Sequence, residues 1–317
     1  SSFRSLINSW VKVKFPDDTT LIAGTYEGFT AHNATVQVSK TGEIVQAWIK
    51  QKADEFDPED FLEALRENVE PYEYEPKHDA SADRMLEIPL FDMHFGPNGI
   101  DDYKNTLSEI LAIVSGKHWA KIVILVGQDL FHNDSIVNGI TTKGTQIEKV
   151  NIKKAVYDAK TFYFNIIDTA IGNANEVSVI YSPGNHDKTV GWLFAQILLE
   201  RYGKDIVDDS AAERKVVWWN GCFIGVTHGD KKTDTPQGLR GKFTIEFPAL
   251  FAAANVREIH TGHLHRESSM DEYGVQVRRM STGNKDDEWT ITEGYKSQKR
   301  FMLFEWMPNK LRAIYYV

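Results

Sequence analysis

Five apolar runs in this chain each end in a cluster of side chains able to hold a metal ion. Asp92-Met93-His94 follows "MLEIPLF", and Gln128-Asp129 with His132-Asn133 follows "KIVILVG". Asn185-His186-Asp187 follows "EVSVIYSPG", His228-Gly229-Asp230 follows "CFIGVT", and His263-Leu264-His265 follows "REIHTG". Asp92 and His94, two apart on extended backbone, can reach one ion together. Asp129 has two carboxylate oxygens and can bridge two ions about 3.5–4 Å apart. Asn185 offers a neutral amide oxygen, which limits the negative charge packed between them. His228, His263 and His265 add imidazoles. This mixed set suits Mn²⁺, Fe or Zn²⁺ better than Ca²⁺, which takes oxygen alone, and the single cysteine, Cys222, excludes a Cys-rich zinc site. A pair of such ions polarises a phosphoryl group, lowers the pKa of a bound water and holds attacking and leaving oxygens in line. His186, beside Asn185, is placed to protonate the leaving alkoxide as general acid.

The elements that must position these clusters alternate. "MLEIPLFDMH", the continuously apolar "KIVILVGQD" and "EVSVIYSPGNHD" read as strands, the second of the fully buried kind. "YKNTLSEILAIVSG" reads as a helix with Leu107, Ile110, Leu111 and Val114 on one face and Gly116 as its stop. Residues 146–173 read as a long helix and "VGWLFAQILLERYG" as another. "RKVVWWNGCFIGVTHGD" reads as a hairpin turning at Asn220-Gly221, "PALFAAANV" as helix, and the remainder mostly as strands. Interleaved strands and helices followed by hairpins predict a layered α/β architecture. In open α/β sheets ligands bind beyond the carboxyl ends of strands, so the five clusters are expected to converge.

Residues 1–78 read as a separate, small β-rich domain with one helix, and 83–317 as the catalytic domain. In the first, "SWVKVKF" alternates like a half-buried strand and "PDDTT" is a turn. "ATVQVSKTGEIVQAWIK" is a hairpin turning at Lys40-Thr41-Gly42-Glu43. "FDPEDFLEALRENV" is a helix with Asp57 as N-cap and Phe61, Leu62, Leu65 and Val69 on one face. "PYEYEPKHDASAD" reads as a linker.

The 317 residues are 42% hydrophobic and 26% charged, as in soluble globular proteins. No apolar run approaches the roughly 18 residues of a membrane span. One cysteine permits no internal disulfide, which fits a reducing cytosol. The chain begins at Ser1 without Met, so a preceding segment is an open expectation. Thirty-six basic against 45 acidic residues give a net charge of −9, which argues against a stoichiometric DNA-coating protein. It argues less against an enzyme, because bound cations supply local positive charge.

The five clusters resemble the calcineurin-like metallophosphoesterase superfamily, whose pattern is D-x-H, G-D-x-x-(D/N), G-N-H-(D/E), a lone H, and G-H-x-H. All five occur here in that order, over 83–317. The tetrapeptide Gly184-Asn185-His186-Asp187 alone is expected by chance in roughly one chain in a thousand of this size and ordinary composition, so five in order are not chance. The resemblance implies a two-sheet β-sandwich flanked by helices. It implies one ion on Asp92, His94 and His265, a second on Asn185, His228 and His263, and Asp129 between them. It implies His186 as the catalytic acid or phosphate-contacting residue, and two divalent ions, Mn²⁺ ahead of Fe, Zn²⁺ or Mg²⁺.

One motif departs: Gln128 stands between Gly127 and Asp129. The run "DLFHN" after it resembles SbcD-type DNA repair nucleases, in which the His of this run, here His132, supports the catalytic His. Protein phosphatases carry an Arg soon after this Asp, and residues 130–134 contain none. The expected activity is therefore phosphodiesterase or nuclease action on DNA. The alternatives are a phosphomonoesterase or small-nucleotide phosphodiesterase, and a catalytically silent metal-binding scaffold. SbcD-type proteins carry a capping domain and an ATPase-binding tail after G-H-x-H, where only residues 266–317 follow here, so an ATPase partner is not assigned. A homodimer, a cytoplasmic location and a bacterial or phage origin are expectations from the resemblance alone.

Other residues have blander readings. His32, His78, His118 and His260 read as structural. Asp187 reads as the N-cap of the following helix or as a group orienting a ligand. Asp230 reads as a loop charge or a site residue, Lys231 and Lys232 as loop charges or phosphate-steering groups, and Asn133 as a turn residue or a substrate contact. The Trp218-Trp219 pair and Phe162-Tyr163-Phe164 read as core, with base stacking as the competing use.

Overall fold

The computed structural model describes the backbone of residues 9–14, 29–38, 44–53, 58–75, 77–285 and 298–317, with side chains from residue 62 onward in those ranges. Two compact units result, Ser1–Ala64 and Leu65–Val317. In the first, β1 (Ser9–Lys14), β2 (Phe29–Val38) and β3 (Ile44–Ala53) form an antiparallel sheet in the order β1-β2-β3. β2 and β3 are the strands of the expected hairpin, with Val38 opposite Ile44. Helix α1 (Pro58–Asn68) follows at the division between the units. The expected turns at 16–20 and 40–43, the Asp57 cap, and the side chains of Phe61 and His32 lie outside the described residues.

The second unit runs β4 (Met85–Pro89), α2 (Ile100–Ser115), β5 (Lys121–Gly127), α3 (Ile152–Gly172), β6 (Val177–Ser182), α4 (Lys188–Tyr202) and β7 (Val207–Asp208). It continues with β8 (Lys215–Trp219), β9 (Cys222–Val226), α5 (Pro236–Glu246), α6 (Pro248–Ala253) and β10 (Val256–Thr261). It closes with β11 (Ser268–Asp271), β12 (Gln276–Arg279), β13 (Met302–Met307) and β14 (Lys310–Tyr316). One sheet has the order β14-β13-β4-β5-β6-β7, the other β11-β12-β10-β9-β8. β4, β5, β6 and β7 are parallel, and β9 is parallel to β10 and β10 to β12. This is a mixed α/β architecture of two sheets flanked by helices, as the sequence predicts.

The two-residue period of the strands builds the layers. Leu86 and Ile88 of β4, with Ile122, Ile124 and Val126 of β5, face a core shared with α2, α3 and α4. The alternate residues Met85, Val123 and Leu125 pack with Cys222, Ile224 and Val226 of β9 and with Phe304 and Trp306 of β13. The second sheet's outer residues Phe223, Ile259 and Val277 pack under Leu239 and Phe243 of α5. Burying each such side chain is worth about 1.5–3 kcal/mol. A strand covered on both faces reads as continuously apolar, which explains "KIVILVG".

The hairpin at Asn220-Gly221 has both residues at positive φ, +42° and +80°, as a tight type I′ turn requires. Two boundaries differ from the sequence reading. The long helix begins at Ile152 rather than at 146, because the Asn151 side chain accepts from Lys154 N and caps it there. Helix α5 went unread, although Thr235-Pro236 is its cap and first turn, with Thr235 accepting from Gly238 N. The segment 71–83, read as a linker, packs on its own unit: Tyr72 lies against the helix-side core and its N–H donates to Arg201 O. Phe162 and Tyr163 are fully buried and Phe164 packs on Tyr202, so these aromatics are core. Trp218 and Trp219 pack on opposite faces of the second sheet. Residues 266–317 supply β11 to β14, as the two-sheet reading required.

Candidate metal centre

Each sheet carries its parallel strands toward one end, and the loops beyond those ends are laced to one another by main-chain hydrogen bonds. Asp92 N donates to Gln128 O, His94 N to Asp129 O, Phe95 N to Leu130 O, and His132 N back to Phe95 O. Gln128 N donates to Ser182 O, and Gly262 N to His228 O. The strand ladder thus continues into the loops that bear the ligand-type residues.

Two compact triads result. Asp92, His94 and His265 each offer a ligand atom within 4.8 Å of the others, and so do Asp129, His228 and His263. In the first, the Nε2 atoms of His94 and His265 face each other at 3.2 Å and His265 Nε2 is 3.4 Å from Asp92 Oδ1. In the second, His228 Nε2 lies 3.1 Å from Asp129 Oδ2 and 2.7 Å from Asn185 Oδ1. Seven expected ligands are therefore brought together. Asp129 stands with the second triad, and its Oδ1 accepts from the N–H groups of Asn185 and His186, both at 2.7 Å.

The residues fit divalent-cation binding. Asp92 Oδ1 is buried without a hydrogen-bond partner, and buried polar atoms are otherwise nearly always paired. The carboxylate, imidazole and amide donor set is that of Mn²⁺, Fe or Zn²⁺ sites. Without an ion, the imidazoles and carboxylates perturb one another. Burial, then the neighbouring His186 and His265, hold His94 well below the usual imidazole range, and burial with His228 lowers His263. Burial pushes His228 down too, but the Asp129 carboxylate outweighs it and lifts it to about 9. Burial alone would raise Asp129, and His228 instead holds it well below the usual carboxylate range. Asp92 likewise outweighs burial and raises His265.

The backbone at this cluster is strained. Asp92 and His94 have φ of +55° and +47°, Gln128 and Asp129 +47° and +67°, His263 and His265 +69° and +52°. The expectation of extended backbone across Asp92-Met93-His94 is therefore corrected: two left-handed residues flank Met93, curling both side chains to one side. Such conformations cost of order 1 kcal/mol or more each and cluster at functional sites. Glycine permits the closest approaches. A Cβ on Gly184 would collide with the Asp129 carboxylate and amide, and one on Gly262 with the Asp92 carboxylate. His263 N also donates to Asp92 Oδ2 at 2.8 Å.

Three consecutive carbonyls of the strained turn are held by side chains, the first of them from far along the chain. Thr282 Oγ1 and Asn284 Nδ2 both donate to Asp92 O, at 2.8 and 3.1 Å. Tyr103 OH donates to Met93 O, and Asn98 Nδ2 to His94 O at 3.3 Å. Thr282, Asn284, Tyr103 and Asn98 are buried and were missed in the sequence, where only the compact polar run Ser281-Thr282-Gly283-Asn284 gave a signal.

His186 sits beside the first triad, its ring centroid 4.8 Å from that of His94. Its Nδ1 donates to the main-chain carbonyl of His132 at 2.8 Å. A carbonyl only accepts, so the proton is on Nδ1 and Nε2 is left for chemistry. Support by the residue-132 position is thus through its main chain, while its ring stands 5.8 Å from that of His186. Asp187 does not cap α4. Its Oδ2 accepts from Phe131 N, and burial followed by the Asp129 charge pushes its carboxyl well up. Asp134 caps instead, its Oδ1 accepting from Thr189 N and Val190 N.

The loop charges pair among themselves. Asp230, its side chain 5% exposed, takes Lys143 and Lys231, and Glu213 takes Lys231 and Lys188. Asn133 donates to Asn138 O and holds a turn. His260 is fully buried between Glu87 and Glu258, and His118 pairs with Asn175. His78 is exposed on its segment. Cys222 lies in the inter-sheet core. Among the described residues no helix is long and apolar enough to cross a membrane.

The chain matches no protein-family model and no curated protein. It is similar to solved structures at low identity. Zinc-complexed wild-type Vps29 from Entamoeba histolytica is 13% identical, with 74% of this chain and 97% of that one covered at a TM-score of 0.38. An archaeal phosphodiesterase is 11% identical, with 74% and 99% covered at 0.37. A predicted phosphoesterase from Streptococcus pneumoniae is 13% identical, with 75% and 91% covered at 0.34. All three scores are below 0.5, so the functional reading rests on the chain's own residues.

Proposed function

We propose that this chain is a two-metal-dependent phosphoesterase that hydrolyses phosphodiester bonds, with DNA as its substrate class. The observation that carries the reading is the meeting of two carboxylate–imidazole triads beside a histidine whose tautomer is fixed. Asp92, His94 and His265 would hold one ion, and Asp129, Asn185, His228 and His263 the other, Asp129 reaching both. Two divalent ions there supply Lewis acidity toward a phosphoryl oxygen and a nucleophile at neutral pH.

The chain's own residues do the rest. The His132 carbonyl orients His186 so that Nε2 can carry a proton to the leaving alkoxide. Asp129 Oδ1 fixes the Asn185-His186 main chain, and Thr142 N, donating to His186 O, fixes it from the other side. DNA as substrate, and Mn²⁺ as the preferred ion, follow from the "DLFHN" resemblance and the donor set.

A second reading, small phosphoesters, is favoured by the loop lysines. Lys143, Lys188 and Lys231 are paired with Asp230 and Glu213, which leaves less free positive charge for a nucleic-acid backbone. Rates on end-labelled DNA and on the small esters bis(p-nitrophenyl) phosphate and p-nitrophenyl phosphate separate the two. Cleavage of DNA supports the proposal, and turnover of a small ester with DNA left intact sinks it in favour of the second reading.

A further inference from the structure

We infer that His94, His132 and His186 form a third, imidazole-only seat that captures a zinc ion in competition with the first triad. The inference rests on the proposed metal centre, with which it shares His94. One ligand atom from each of the three lies within 4.8 Å of the others, the same limit the two carboxylate triads meet. His94 and His132 are 5% and 6% exposed. The rings meet edge-on or tilted: His94 to His186 at 83°, His94 to His132 at 66°, His132 to His186 at 44°. No pair is stacked, so nitrogen edges can converge on one point.

The seat is preorganised by its own main chain. His94 N and His186 N both bond to Asp129, through its carbonyl and its Oδ1, and His132 N is tied to Phe95 O. The His186 Nδ1–H on the His132 carbonyl is the outer contact that metal-bound imidazoles commonly have, and it leaves Nε2 as the ligand atom. Zn–N bonds of about 2.0–2.1 Å in a tetrahedron set nitrogens about 3.4 Å apart. The three side chains must therefore draw in by roughly 1 Å, within reach of small torsional changes. Three neutral imidazoles without a carboxylate select Zn²⁺ strongly over Mn²⁺ or Mg²⁺. Zinc on His186 Nε2 displaces the proton that nitrogen would carry, and zinc on His94 withdraws that ligand from the first triad. Excess zinc then opposes the ion that activates.

Equilibrium dialysis against zinc chloride tests this without reference to turnover. In His265→Ala the first triad keeps two ligands, while Asp92 retains its bond to His263 N. This variant should bind two equivalents, one at the second triad and one at the three-histidine seat. Adding His132→Gln should reduce it to one. His265→Gln serves as a second background, with the thermal melt of each protein confirming the fold. Co²⁺ in the same variants should show intense visible absorption of a four-coordinate imidazole site, lost with His132→Gln. Equal zinc in the presence and absence of His132, whether one equivalent or two, overturns the seat. Wild-type protein that binds no zinc overturns the metal centre itself.

Discussion

His186 donates from Nδ1 to the main-chain carbonyl of His132 at 2.8 Å, so a backbone group orients the imidazole proposed to protonate the leaving group. Replacing His186 by Ala should lower kcat by about 10²- to 10⁴-fold, the usual weight of a general acid. Replacing His132 by Ala keeps the carbonyl and should cost less than about tenfold. Steady-state rates on a phosphodiester with Mn²⁺ measure both, and equal losses would show that the His132 ring carries the function instead.

Gly184→Ala tests the close packing beneath Asp129. Its methyl would meet the carboxylate that sits with the second triad. Overpacking of this kind costs about 1–3 kcal/mol. The melting temperature should fall and divalent-ion affinity should drop with it. An alanine variant with unchanged affinity would mean that Asp129 is not constrained by this contact.

Thr282 and Asn284 meet on the carbonyl of Asp92. Thr282→Val preserves volume but leaves that carbonyl with the Asn284 donor alone, a loss of about 0.5–1.5 kcal/mol. Ion affinity should weaken by about 10- to 100-fold, as for other residues that orient ligands. Thr282→Ser restores the hydroxyl and should recover most of it. Recovery by neither affinity nor melt would count against the clamp.

His260 predicts an alkaline weakness. Burial alone would lower its pKa, but Glu87 and Glu258 outweigh burial and raise it to about 9, with Arg278 facing Glu258 and Trp306 facing Glu87. A histidine raised above its unfolded value of about 6.5 contributes stability that is fully present below pH 6.5 and is lost as pH rises toward 9. The loss is of order 3 kcal/mol. Urea midpoints at pH 6, 8 and 10 should fall in that order, with the slope reduced in His260→Gln. A flat profile would mean the buried imidazole is neutral throughout.

What was legible in the sequence was what is local. Strands such as β5 announce themselves because both faces are buried, and the ligand-type residues because they cluster where those strands end. What was not legible depends on partners far along the chain. Thr282 and Asn284 act on a residue 190 and 192 positions away. Asp134 caps a helix 55 residues on, while Asp187, the local candidate, turns instead to Phe131 N. Left-handed φ at Asp92, His94, Asp129, His263 and His265 is uncommon for any residue but glycine and is sustained by surrounding contacts, so local propensity does not reveal it. The pairing of Lys143, Lys188 and Lys231 with Asp230 and Glu213 is equally invisible until the loops are brought together.

The most direct test of the proposed activity is Mn²⁺-dependent degradation of end-labelled single- and double-stranded DNA, with His186→Ala assayed beside the wild type. Degradation that requires the metal and is lost in the variant is the expected result, and the labelled products also give strand preference. Intact DNA after incubation with protein shown to carry its ions, or equal degradation by both proteins, would contradict it.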